Sequence, residues 1–103
     1  MPKRMYTIEE IKAIVKPVAL TYGVERVALF GSYARGDATP NSDIDLYIDK
    51  GAISGYIALS GFQQDLEDRL QVSVDVITTG ALDQDENFRN TIEREKVLLY
   101  EKR

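Results

Sequence analysis

Apolar residues near the start of the chain recur every three or four positions, which predicts one buried face of a helix. These residues are Ile8, Ile11, Val15, Val18 and Tyr22. Thr7 and Glu10 have the spacing of a capping box and predict where this helix begins, and Gly23 predicts its end. Pro17 removes one backbone hydrogen bond within the stripe, so we expect one bent helix rather than two.

Four further segments have the composition or the alternation of β-strands. Residues 24–30 are mostly apolar and β-branched, which predicts a buried strand. Residues 43–49 alternate, which predicts a strand with one apolar face and one polar, acidic face. The polar face consists of Asp43, Asp45, Tyr47 and Asp49. Residues 72–77 predict a third strand that ends before Gly80, and residues 97–100 predict a last edge strand.

Helical spacing returns between the later strands. A second apolar stripe consists of Tyr56, Leu59, Phe62, Leu66 and Leu70. It predicts a helix in which Gly61 is the weakest position. Phe88 and Ile92 predict a final helix over about residues 84–95. Between the first two strands, the sequence predicts a short turn or helix at residues 33–36 and a loop at residues 37–42.

This order of elements predicts an α/β protein of the α+β type, with a small mixed sheet flanked by helices. The connection between the first two strands is too short for a long crossover helix, so we expect a mixed sheet rather than a purely parallel one. The chain has 103 residues. At roughly 150 residues per domain, this length predicts one domain over residues 1–103.

Composition narrows the possible chemistry. The chain has no Cys and no His, which excludes disulfides, Cys- or His-ligated metals and a catalytic imidazole. Any metal must therefore be bound by oxygen, as Mg²⁺, Mn²⁺ and Ca²⁺ are. A calcium EF-hand does not fit, because Tyr47 and Ile48 stand where its loop needs an oxygen ligand and a glycine. The chain also lacks the glycine motifs of P-loop and dinucleotide-binding folds.

Charge and hydropathy limit the partners. Thirteen Lys and Arg against 17 Asp and Glu give a net charge of −4, so we expect no direct binding of nucleic acid. The apolar runs are too short to span a bilayer or to form a signal peptide. We therefore expect a cytoplasmic protein with no membrane partner.

Two aspartates, Asp43 and Asp45, point to the same side of the predicted second strand, with Cα atoms about 6.5 Å apart. Like charges this close repel unless a cation lies between them. A solvated acidic strand face is the alternative. Asp75 favours a metal site, because adjacent second and third strands would bring three carboxylates together, as in two-metal sites for phosphoryl transfer. For Asp75 too, a strand residue that simply faces water remains possible.

A Gly31-Ser32 turn follows the first strand, where backbone N–H groups can bind a phosphate that glycine allows to approach. An ordinary strand-to-helix turn with Ser32 as N-cap is the alternative. Arg35 has the reach to bind a phosphate or to pair with a nearby acid that holds the loop. Gly36 beside it indicates a demanding turn and favours the structural role.

Residues 31–36 (Gly-Ser-Tyr-Ala-Arg-Gly) and 42–46 (Ser-Asp-Ile-Asp-Leu) together resemble the signature of minimal nucleotidyltransferases, members of the DNA polymerase β-like nucleotidyltransferase superfamily. Residues 74–78 resemble that family's third-carboxylate strand, and residues 95–101 resemble its end. The resemblance implies a nucleotidyltransferase fold, ATP as substrate and two Mg²⁺ ions, for which Mn²⁺ can substitute. The implied catalytic and metal-binding residues are Asp43, Asp45 and Asp75, with Asp75 also a possible base, and the implied nucleotide-binding residues are Gly31, Ser32 and Arg35.

The resemblance also implies a biological role. Small proteins of this kind resemble antitoxins whose partner is a HEPN-domain ribonuclease toxin, and some transfer AMP from ATP to a toxin tyrosine. One alternative is a catalytically silent antitoxin that neutralises its toxin by binding and occlusion. Transfer to a small molecule such as an aminoglycoside is a weaker alternative, because larger relatives that do this carry a second domain.

Overall fold

The computed structural model describes residues 5–49, 51, 55–78 and 86–102. Within these residues four helices and four strands follow one another along the chain. They are α1 (Ile8–Tyr22), β1 (Arg26–Phe30), α2 (Gly31–Arg35), β2 (Ile44–Asp49), α3 (Tyr56–Leu70), β3 (Val74–Thr78), α4 (Glu86–Glu95) and β4 (Val97–Glu101). The predicted stop at Gly80 and the predicted first residues of the last helix, 84 and 85, lie outside the described residues.

The four strands form one mixed sheet in the order β3-β2-β1-β4. β1 is antiparallel to both β2 and β4, and β2 is parallel to β3. This confirms the predicted fold class and the predicted mixed sheet. The first three strands begin one or two residues later than predicted, β4 begins at Val97 as predicted, and Asp43 lies immediately before β2 rather than within it.

The ends of α1 are those that the sequence predicts. The Thr7 hydroxyl accepts a hydrogen bond from the Glu10 backbone N–H at 3.0 Å, and the Glu10 carboxylate accepts one from the Thr7 N–H at 2.9 Å. Gly23 ends the helix in the left-handed conformation at φ +73°. The helix runs unbroken through Pro17, which confirms a single element.

The main core lies on one face of the sheet, where α1 and α3 pack together. Its fully buried large side chains include Ile11, Val15, Leu29, Ile44, Leu46, Ile48, Phe62, Leu66 and Leu70. The prediction was wrong for Tyr56, whose side chain is 84% exposed at the first residue of α3. Helical spacing identifies the apolar stripe but not where the surface that buries it ends, and burial on α3 begins only at Ala58.

The second face of the sheet is covered in part by α4. Ile92, which is fully buried, packs with Phe30 and Tyr47, and Ile77 lies against this group. The Phe30 and Phe88 rings meet edge to face, with centroids 6.2 Å apart. The predicted polar face of residues 43–49 is therefore wrong at Tyr47, which is buried because α4 supplies an apolar partner.

No helix in the described part of the chain is long and apolar enough to cross a membrane.

Ile92→Ala tests the second core. We expect it to lower the free energy of unfolding by about 2–5 kcal/mol, because it removes the central side chain of a small buried cluster. Leu20→Ala is the control, since Leu20 is an apolar helix residue that is 64% exposed. Urea unfolding of both variants measures the difference. Equal and small effects would contradict the packing of α4 on this face.

Candidate active site

The parallel pairing of β2 with β3 brings the acidic residues of the two strands together. Asp45 lies directly opposite Asp75 in the register, and Ile44 lies opposite Val74. Ile44 and Val74 are fully buried on the main-core face, so the two aspartates point to the other face. Asp75 is exposed and Asp45 is half-buried. The structure therefore brings these two predicted site residues together at one end of the sheet.

The surroundings of Asp45 disfavour a negative charge on its carboxyl group. Burial first, and then the charge of the Asp75 carboxylate and a side-chain hydrogen bond with it, raise the pKa of Asp45 to about 6. The charge of Asp43 acts in the same direction, whereas Arg35 lowers the pKa. A proton on Asp45 thus reduces the repulsion when no cation is present.

Gly31 provides the space that the Asp45 carboxylate occupies. A Cβ atom at Gly31 would overlap Asp45 Oδ2, and the backbone at Gly31 has φ +74°, which L-residues with side chains rarely adopt. The sequence reasoning assigned this glycine to the close approach of a phosphate. The structure shows a second reason for a glycine at this position, which is the close approach of the Asp45 carboxylate on β2.

The segment after Gly31 forms the short helix α2, which ends at Gly36 with φ +86°. The Ser32 carbonyl accepts hydrogen bonds from the backbone N–H groups of Gly36 and Asp37, both at 3.0 Å. Ser32 is not the N-cap, because the helix begins one residue earlier and Phe30 occupies that position. The predicted N-cap role of Ser32 in the alternative is therefore wrong, whereas the strand-to-helix turn itself is present.

Arg35 pairs with two acids in this structure. Its Nε lies 3.3 Å from Asp37 Oδ2, and its Nη1 lies 3.4 Å from Glu95 Oε1 at the end of α4. These pairs match the structural role that the sequence favoured, and they tie α2 to α4. The Arg35 side chain remains 45% exposed, so these pairs leave part of the guanidinium accessible to a phosphate.

The carboxylate oxygens of this site are suitable ligands for the cations that the composition of the chain allows. Carboxylate oxygens are ligands of Mg²⁺ and Mn²⁺, and a cation between Asp45 and Asp75 would remove the cost of ionising both. Among the described residues, however, no three acidic side chains are close enough to form a ready-made metal cluster. The residues fit the ion by chemistry and by the Asp45–Asp75 pairing, and the charge of Asp43 acts on Asp45 as well.

Two features of the site were not found from the sequence. Glu95 was not recognised as the partner of Arg35, and Tyr47 was not recognised as part of the apolar cover beside the aspartates. Both involve α4, whose Phe88 and Ile92 spacing predicted a helix but gave no information on which face of the sheet it covers.

A family model described as nucleotidyltransferase domain matches residues 8–99, which is most of the chain and all of the site. The chain belongs to this family. The match confirms the resemblance drawn from residues 31–36 and 42–46, and it establishes nucleotidyl transfer as the class of reaction.

Two relatives are similar over most of their length. The protein adenylyltransferase MntA of Thermococcus cleftensis is 33% identical over 82 residues, which cover 76% of this chain and 83% of the relative. A Methanocaldococcus jannaschii protein, provisionally named protein adenylyltransferase MJ0435, is 37% identical over 75 residues, which cover 73% of this chain and 81% of the relative.

Solved structures share the fold. A toxin–antitoxin complex with AMP-PNP matches with a TM-score of 0.74 and 20% identity, over 89% of this chain and 74% of the matched chain. A complex of a tri-AMPylated Shewanella oneidensis HEPN toxin with an MNT antitoxin matches with a TM-score of 0.69 and 16% identity, over 93% of this chain and 74% of the other.

Asp45→Asn tests the electrostatic strain in this nucleotidyltransferase. The raised pKa means that the folded protein bears the full cost of the Asp45 charge above about pH 6 and none of it below the ordinary value of 3.8. In EDTA, we therefore expect Asp45→Asn to unfold at a higher temperature than wild type at pH 8, and this advantage to shrink towards pH 4. Asp49→Asn, at the far end of the same strand, is the control. A constant difference across the pH range would contradict the account.

Gly31→Ala and Gly36→Ala separate backbone strain from displacement of Asp45. Both glycines have positive φ, so each substitution strains the backbone by about 1–3 kcal/mol. Only at Gly31 does the new Cβ meet a carboxylate, since nothing lies within 4 Å at Gly36. We expect Gly31→Ala alone to abolish binding of Mg²⁺-ATP, measured by calorimetry. Equal binding by the two variants would contradict this role for Gly31.

Proposed function

We propose that this nucleotidyltransferase transfers AMP from ATP to a hydroxyl group, a tyrosine, of a partner HEPN-domain toxin, and so acts as its antitoxin. The observation that carries the proposal is the pairing of Asp45 with Asp75 beside the Gly31 turn. This arrangement combines the two requirements of nucleotidyl transfer, which are carboxylates for a cation and a backbone turn for phosphates.

The relatives support the choice of nucleotide and acceptor. The matched Thermococcus and Methanocaldococcus proteins are both named protein adenylyltransferases. One structural neighbour bound AMP-PNP within a toxin–antitoxin complex, and another is an MNT antitoxin in complex with an AMPylated HEPN toxin. Transfer of AMP to a protein therefore fits this chain better than transfer to a small molecule.

Each site residue has a separate role in the proposed reaction. Asp43, Asp45 and Asp75 would hold Mg²⁺, and the Gly31-Ser32 turn with Arg35 would bind the triphosphate. Bound there, the metal would neutralise phosphate charge and polarise the α-phosphate. A carboxylate oxygen of Asp75 takes the proton of the attacking hydroxyl, because Asp75 is the exposed member of the acidic pair. The hydroxyl oxygen forms a bond to the α-phosphorus while the bond from that phosphorus to the β-phosphate oxygen breaks, and pyrophosphate leaves.

One observation favours the alternative of a silent antitoxin that acts by occlusion. No three acidic side chains in the described ranges form a preassembled metal cluster. An occluding protein needs only its surface, whereas an enzyme must gather Asp43 with the other two aspartates when the nucleotide and metal bind. A single variant distinguishes these two functions.

Asp75→Asn is that variant. We expect it to keep binding ATP in Mg²⁺ and to bind the HEPN toxin as wild type does, because Asp43, Asp45 and the surface away from the site are unchanged. We expect it to lose transfer of label from α-³²P-ATP to the toxin by at least about a hundredfold, as loss of a general base does. The variant should then fail to protect cells from the toxin.

EDTA and Asp49→Asn are the controls for this experiment. EDTA should abolish both ATP binding and labelling by wild type, because the triphosphate and the aspartates then repel each other. Asp49→Asn should label the toxin as wild type does. Full protection by an Asp75→Asn protein that transfers no label would overturn enzymatic neutralisation and establish occlusion.

A further inference from the structure

β3 carries Asp75 at the edge of the sheet. In the described sheet its one neighbouring strand is β2, so its outer side has no strand to pair with. Backbone N–H and C=O groups on such an edge need other partners. At Val74, immediately before Asp75, both backbone groups find their partners in side chains of α3.

Gln63 and Glu67 lie one helical turn apart on α3 and both reach Val74. Gln63 Nε2 donates a hydrogen bond to the Val74 carbonyl oxygen at 2.8 Å. The Val74 N–H donates one to Glu67 Oε2 at 2.9 Å. Both bonds are partly buried, and we call them together the α3 clamp.

The clamp and β2 hold opposite sides of the same strand. Consecutive residues of a strand direct their backbone groups to opposite sides, so those of Val74 face the clamp while those of Ser73 and Asp75 face β2. The Ile44 N–H donates to the Ser73 carbonyl at 3.0 Å, which confirms the inner side. The Val74 side chain is fully buried, which directs Asp75 to the opposite face of the sheet, where Asp45 lies.

We propose that Gln63 and Glu67 are positioning residues that hold the Asp75 carboxylate in register with Asp45 for AMP transfer. This inference rests on the proposed function, in which Asp75 takes part in the chemical step. Asp45 does not depend on the clamp, because β2 is an inner strand with a neighbour on each side, and Asp43 directly precedes that strand. Loss of the clamp therefore slows transfer more than it weakens binding of ATP.

The expected fall in kcat follows from the need to orient the reacting groups. A misplacement of about 1 Å can lower the rate of an oriented reaction by about a hundredfold. We therefore expect Glu67→Ala and Gln63→Ala each to lower kcat for toxin labelling by about 10- to 100-fold. The Kd for Mg²⁺-ATP should change by less than about threefold, since that binding relies on Asp43 and Asp45.

Conservative variants at the same positions test the hydrogen bonds themselves. Glu67→Gln keeps an oxygen that accepts from the Val74 N–H, so we expect it to retain most of the wild-type kcat. Gln63→Glu removes the donor and places a carboxylate against the Val74 carbonyl, so we expect it to be as impaired as Gln63→Ala.

Three controls on nearby positions separate positioning from general loss of stability. Gln64→Ala and Asp68→Ala break an exposed hydrogen bond on the same helix. Tyr22→Phe removes a partly buried side-chain bond to the backbone of α3 at Gly61, a bond that does not involve Val74. All three should keep the wild-type kcat at a temperature well below unfolding.

Amide hydrogen exchange provides a readout without nucleotide or toxin. Exchange at the Val74 N–H should be faster in Glu67→Ala than in wild type and in the three controls. Faster exchange combined with wild-type kcat would overturn the positioning role. An equal fall of kcat in Tyr22→Phe would also overturn it, because the effect would then be one of stability.

If wild type labels no toxin, the proposed function fails and this inference fails with it. Equal labelling by wild type and all variants overturns the inference alone.

Discussion

The parallel register between β2 and β3 is the constraint on which the whole site depends, because it places one carboxylate directly opposite another. Asp45 is half-buried, and its pKa rises to about 6 because of that burial and of the neighbouring Asp75. A fold selected for stability alone has no reason to retain such a pair. Arrangements that oppose stability are typical of functional sites, where a ligand supplies the compensating charge.

Other elements are arranged around this pair. Gly31 has no side chain where the Asp45 carboxylate lies, so the strand-to-helix turn and the acidic strand can approach each other. α4 covers the apolar half of the same face and reaches Arg35 through Glu95, while Asp75 at the other end is exposed. In the proposed function, the nucleotide and the acceptor hydroxyl approach Asp75 on this face, because the opposite face is occupied by the main core.

The sequence predicts the fold and the placement of Asp45 beside Asp75 because both depend on local patterns. The Thr7 capping box and the alternation of residues 43–49 each follow from spacing alone, and the mixed sheet follows from the short connection between β1 and β2. The spacing of residues along the chain could not predict contacts between elements that are far apart in the sequence. The burial of Tyr47, the pairing of Arg35 with Glu95 and the exposure of Tyr56 depend on where helices pack, which is information that one sequence does not carry in its periodicity.

The central claim is that Asp45 and Asp75 bind one cation together when the nucleotide is present. Anomalous diffraction from crystals of the protein grown with Mn²⁺ and a non-hydrolysable ATP analogue tests it most directly. The account predicts an anomalous peak within about 2.0–2.6 Å of a carboxylate oxygen of each residue, the range of metal–oxygen bonds to hard cations. Bound nucleotide with no peak between these two carboxylates, or with a peak held by other residues, would contradict it.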